Sequence, residues 1–232
     1  MEYNNYPSYS FEPSVSRATY TARVFGWMFL GLLTTFAVAL ATIYTDLWRI
    51  TCSSYLPFVL AIAEVAVVVI LSARIHKLSV SAARGMFFLY AVLNGVTFSS
   101  LLLLYSLSSL IMVFGMTALY FGVMAAYAWF TKADLSYLRP VLLIGLVVLL
   151  VVTLISMLFG FSGNSRILSI FGVLLFVGYT AYDTQKIRAD YEFYMNDAQM
   201  LEKASVISAL QLYLDFINLF IYLLRLYGKR KN

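Results

Sequence analysis

Forty-seven consecutive residues, Gly85–Thr131, carry no charge. Wound as one helix at about 1.5 Å per residue, the stretch would reach about 70 Å, more than twice the ~30 Å thickness of bilayer hydrocarbon. It must therefore fold back on itself, and the small polar run Ser106–Ser109 is the expected break. Five more apolar runs flank it. The seven together are approximately Val24–Tyr44, Leu56–Ala73, Gly85–Tyr105, Leu110–Thr131, Pro140–Phe161, Ile167–Lys186 and Ala204–Leu224. Each is continuously apolar, without the alternation that a membrane barrel needs. Composition agrees: 62% of residues are hydrophobic and 12% charged, against roughly 45–50% and 25% in a soluble domain. The expected fold is an all-α integral membrane protein with seven transmembrane helices.

The run from Val24 is too long, and too far from Met1, for the apolar region of a secretory signal. Three regions follow: a mobile polar N-terminal tail over 1–22, a membrane domain over 23–228 and a basic C-terminal tail over 229–232. Pro57 and Pro140 fall at helix starts, where a missing N–H is harmless. The longest polar connection, Arg188–Lys203, holds Asp190, Glu192, Asp197 and Glu202 and reads as a solvated loop. Cys52 and His76 are each alone, so neither a disulfide nor a thiolate or multi-histidine metal cluster is expected. No cofactor is implied.

The net charge of +5 could suggest nucleic acid, but the basic residues sit in short loops beside apolar runs, where they set topology. With the N-terminus in the cytoplasm, the inner segments hold Arg17, Arg23, Arg74, Lys77, Arg84, Lys132, Arg139, Lys186, Arg188 and Lys203, and the outer loops only Arg49 and Arg166. Arg225, Lys229, Arg230 and Lys231 break this bias if the last run crosses fully, and would rejoin it if that run is re-entrant. Both arrangements stay open.

Three acids lie within apolar runs: Glu64, Asp183 and Asp215. A charge near the bilayer centre costs at least about 2.5–3.5 kcal/mol on insertion scales, so each needs a partner or a function. Asp215 sits midway along the last run. Gln211, Asp215 and Asn218, spaced i, i+4, i+7, form a polar stripe that Ser208 extends by a turn. Such a stripe faces a cavity or polar neighbours, or for Gln211 and Asn218 serves as hydrogen-bonding glue between helices.

Asp183 lies near the cytoplasmic end of the sixth run, one turn after Tyr179. It either reaches water or, if the last helix starts slightly later than Ala204, comes level with Asp215. Two touching carboxylates cannot both ionise cheaply. They would share a proton and sense pH, and could serve as transient Ca2+ ligands. Arg74 lies at the same cytoplasmic level, either as a snorkelling anchor or as a latch on the aspartates. Glu64 and Arg225 could form a second ion pair if the last helix spans.

The segment LYLDFINLFIYLLRLYG (Leu212–Gly228) closely resembles the C-terminal signature of the Bax inhibitor-1 family. YTAYDTQKI (Tyr179–Ile187), TKADLSYL (Thr131–Leu138) and AEVAVVVILSARI (Ala63–Ile75) support it in order. The chain resembles the bacterial branch from about Arg23 to its end. The resemblance implies a seven-helix fold with the last helix central, surrounded by the other six. It also implies a pH-sensitive Ca2+ leak channel, with Asp183 and Asp215 as the paired sensor and Arg74 as latch. Glu64 and Arg225 occupy matching acidic and basic positions, and Asp134 belongs to a loop motif with a capping role.

Three functions compete. The first is this channel in a bacterial plasma membrane, with Ca2+ as transported ion, protons as regulator and no enzymatic activity. The second is an interaction protein that modulates membrane proteases or stress and cell-death partners, as some relatives do. The third, an intramembrane aspartyl protease, is disfavoured: Leu212–Tyr213–Leu214–Asp215 stands where that chemistry needs GxGD.

Overall fold

The computed structural model describes residues 15–51, 55–159 and 165–231. They form eight helices: α1 (Arg17–Tyr44), α2 (Trp48–Thr51), α3 (Leu56–Arg74), α4 (Val80–Leu104), α5 (Leu107–Phe130), α6 (Leu138–Phe159), α7 (Ser165–Tyr194) and α8 (Ala198–Tyr227). All but the single turn α2 are long and apolar enough to cross a bilayer. Of the mobile tail expected over 1–22, residues 1–14 lie outside the described residues, and α1 begins at Arg17, with Tyr20 already buried.

Local chemistry sets the helix ends. Ser16, Ser79, Ser106 and Asp197 each accept a hydrogen bond from an amide three residues on, which satisfies a free N–H of the first turn. The uncharged stretch folds back at Tyr105 and Ser106, slightly ahead of the expected Ser106–Ser109. Ser106 becomes the N-cap of α5, and the remaining serines enter its first turn.

The burial pattern places α8 at the centre. Its most apolar stretch is 72% buried, against 44% for α7 and 11% for α3 and α6. α8 packs on α7, α1, α5 and α4, while α3 packs chiefly on α4 and α6 on α7. The other six therefore do not all line α8 equally. A helix in lipid gains nothing from hiding leucine, so contact must come from close fit and hydrogen bonds. Gly31 sits under Phe87 and Gly172 under the Tyr222 ring, both too tight for a Cβ.

Two expectations change. The Arg188–Lys203 connection is mostly helix, because α7 continues to Tyr194 and α8 begins at Ala198. Two of its acids are partnered across helices: Glu202 pairs with Arg84 at 3.0 Å and Arg23 at 3.8 Å, and Asp190 accepts from Ser208 at 3.0 Å. Second, α8 is one unbroken helix of 30 residues, about 45 Å long, long and apolar enough to cross fully and without the break at which a re-entrant segment would turn back. The basic tail then docks on the α4–α5 turn. Ser106 N–H donates to the Lys229 carbonyl at 3.1 Å and Lys231 N–H to that of Leu104 at 2.9 Å, forming a short antiparallel bridge.

Candidate functional site

α7 and α8 run antiparallel, and their facing sides carry polar residues at matching intervals. On α7 these are Asp183, Lys186 and Asp190; on α8 they are Asp215, Gln211 and Ser208. Three rungs result. Ser208 Oγ donates to Asp190 Oδ2 at 3.0 Å, nearest the α7–α8 turn. Lys186 Nζ donates to Gln211 Oε1 at 3.1 Å in the next rung. Asp183 and Asp215 face each other in the third, close enough to interact directly.

The third rung lies deepest. Asp183 is 7% exposed and Asp215 3%, and Asp215 Oδ2 is buried without a hydrogen-bond partner. Two carboxyl groups so close in so dry a place cannot both ionise cheaply, so sharing one proton is the favoured state of such a pair. Contact arises although α8 starts earlier than expected, not later. The link before α8 is extended at Asp197, and the three rungs share one antiparallel register.

The other sequence candidates lie apart. Asn218 turns back on its own helix, its Nδ2 donating to the Leu214 carbonyl at 2.8 Å. Glu64, half-buried on α3, accepts from Thr97 Oγ1 at 2.6 Å. Arg225, exposed near the end of α8, lies 5.3 Å from the Tyr222 ring centre. No Glu64–Arg225 ion pair forms among the described residues, where the pairs are Arg23–Glu202, Arg49–Asp46 and Arg84–Glu202. Arg74 is the exposed last residue of α3 and makes none of these pairs.

The basic residue beside the carboxyls is Lys186, one turn along α7 from Asp183. Sequence reasoning counted it only as a topology signal. The clue was available: 183, 186 and 190 repeat the three-then-four spacing of 208, 211 and 215. For metal chemistry, two carboxyls fall short of the six to eight oxygens Ca2+ takes. No cluster of three or more acidic, histidine or cysteine residues forms among the described residues.

Comparison with known proteins fits this architecture. The family described as "Inhibitor of apoptosis-promoting Bax1" matches residues 17–232. The chain belongs to the Bax inhibitor-1 family. It is 38% identical over 223 residues to the inner membrane protein YbhL of Escherichia coli K12, covering 95% of each chain. It is 37% identical over 215 residues to a Borreliella burgdorferi protein, covering 92% of this chain and 93% of the relative. A Deinococcus radiodurans protein is 38% identical over 212 residues, with 91% of each covered. The match begins at the first residue of α1 and takes in every described helix. The polar ladder is thus part of a Bax inhibitor-1 membrane domain.

Proposed function

We propose that this Bax inhibitor-1 protein is a pH-sensitive Ca2+ leak channel of the bacterial plasma membrane, with the N-terminus cytoplasmic. One observation carries the reading: two buried carboxyl groups face each other within the membrane domain, at the deep end of a polar ladder that begins near the α7–α8 turn. When the pair holds a proton, a hydrogen bond between the two carboxyls ties α7 to α8. When it loses that proton, two like charges in a dry site repel, and the same oxygens become hard ligands for a passing divalent cation. Proton loss thus both loosens the helix pair and creates a cation station.

Arg74 would act as latch only if α3 carried it to the aspartates. Lys186 already stands beside Asp183 and takes the blocking role in the resting arrangement. The membrane assignment draws support from the relative named as an inner membrane protein. The orientation draws support from the ten basic residues of the inner segments, which outnumber Arg49, Arg166 and the four of the C-terminal end on the other side.

The test is Ca2+ flux into proteoliposomes across a pH series, comparing wild type with Asp183→Asn and Asp215→Asn. Each amide variant should lose most of the pH dependence. Flux with an unchanged pH profile in both variants would overturn the sensor. Absence of flux at every pH would favour the interaction protein instead.

A further inference from the structure

A second polar cluster lies outside the carboxyl ladder, where α1, α4 and α8 converge near their N-terminal ends. Glu202 of α8 receives two guanidinium groups, Arg84 of α4 at 3.0 Å and Arg23 of α1 at 3.8 Å. Two cations on one carboxylate leave an excess positive charge. Arg84 also lies over the Trp27 ring, 5.1 Å from its centre, and its Nε is buried without an acceptor.

These residues line a groove of about 370 Å3 with Gly26 and Leu30 of α1 in its wall. A Cβ at Gly26 would meet nothing within 4 Å, so the groove is open there. Gly26 and Leu30 are one turn apart and continue the channel along the apolar surface of α1, where Phe29 and Leu30 are exposed. The cluster thus combines a cationic head, an interfacial tryptophan and an apolar slot. A soluble anion would need only the first of these.

We propose that the Arg23–Arg84–Trp27 groove is a binding site for one anionic phospholipid, with its phosphate on the two guanidinium groups and an acyl chain along Gly26 and Leu30. Arginine presents planar paired donors that suit a phosphate, and basic pockets between membrane helices on the cytoplasmic side take acidic headgroups. Glu202 holds both arginines in place while leaving their outer donors open. Because the site gathers α1, α4 and α8, an occupied groove would brace the central helix.

Native mass spectrometry and thermal unfolding of the full chain in mixed phosphatidylglycerol and phosphatidylcholine micelles test this. Wild type should retain phosphatidylglycerol over phosphatidylcholine and unfold at higher temperature with it, while inorganic phosphate reproduces neither effect. Arg23→Gln should weaken retention about fivefold, the expected loss for one basic residue at a membrane surface. Gly26→Trp keeps every charge but fills the slot, and should weaken retention by a similar factor. Equal retention of the two lipids by wild type would overturn the proposal. So would full retention by Gly26→Trp, and so would inorganic phosphate giving the same stabilisation as the lipid.

Discussion

The hydroxyl of Thr35 lies 2.6 Å from the phenol oxygen of Tyr213 and donates to the Ala91 carbonyl at 3.0 Å. With its proton committed to Ala91, Thr35 accepts from Tyr213, and one relay links α8 through α1 to α4. All of it is buried. Hydrogen bonds between membrane helices contribute about 0.6 kcal/mol on average and up to about 1.7. Tyr213→Phe and Thr35→Val should each lower stability within that range. The double variant should lose less than the two losses together, because both remove the same bond. Unfolding of the detergent-solubilised protein measures this, and strict additivity would refute the relay.

Gly95 makes the same crossing tight. A Cβ there would come 2.7 Å from the Thr35 carbonyl oxygen and 2.7 Å from Val38 Cβ. A backbone atom cannot swing aside, so Gly95→Ala must part α1 from α4, at about 1–3 kcal/mol for overpacking. Gly122 on α5 is the control, because a Cβ there meets nothing within 4 Å. Gly122→Ala should be neutral or mildly stabilising, from helix propensity alone. Melting temperatures of the two variants should therefore move apart.

Lys186, bonded to Gln211 one rung from the aspartates, places a tethered cation on any route to them. If the protein conducts Ca2+, Lys186→Met should raise flux at neutral pH by roughly tenfold, the equivalent of about 1.4 kcal/mol of barrier. Lys186→Arg should leave flux near wild type. Equal flux in wild type and Lys186→Met would show that the ammonium group does not guard the path.

Asp134, exposed between α5 and α6, accepts from the Ser136 hydroxyl at 2.6 Å and its amide at 2.9 Å. These two bonds hold its carboxyl below the usual range. A lowered value means that the turn is supported at neutral pH and loses that support as pH falls through it. The protection factor of the Ser136 amide should thus fall in strong acid in wild type. It should be low and independent of pH in Asp134→Ala, as followed by hydrogen exchange.

Much of the architecture is legible because lipid imposes one rule on every segment. The uncharged stretch Gly85–Thr131 forces a reversal, and the stripe through Gln211 and Asp215 marks an inward face. Hydropathy stops at the hydrocarbon edge, however. The last turns of α7 and the first of α8 carry Asp190, Glu202 and Lys203, and so read as loop. These turns stay helical because Ser208, Arg84 and Arg23 answer two of those charges from neighbouring helices. Such partners lie far along the chain and do not show in a local window. Lys186 was hidden for a related reason: beside an apolar run, a lysine resembles a topology signal until its cross-helix neighbour is known.

The position of α8 also has a consequence in time. The ribosome delivers the central helix after every helix that packs around it. α1 and α4 can meet while the chain is still being made, but their inner faces, with Phe87 and Thr35, must wait for Tyr213. Until then the nascent bundle holds an unfilled axis that lipid or temporary contacts must occupy. Asp183 likewise enters the membrane before Asp215 exists to meet it, so the carboxyl pair is among the last features to form. A stalled or truncated chain would consequently lack both its pair and its core.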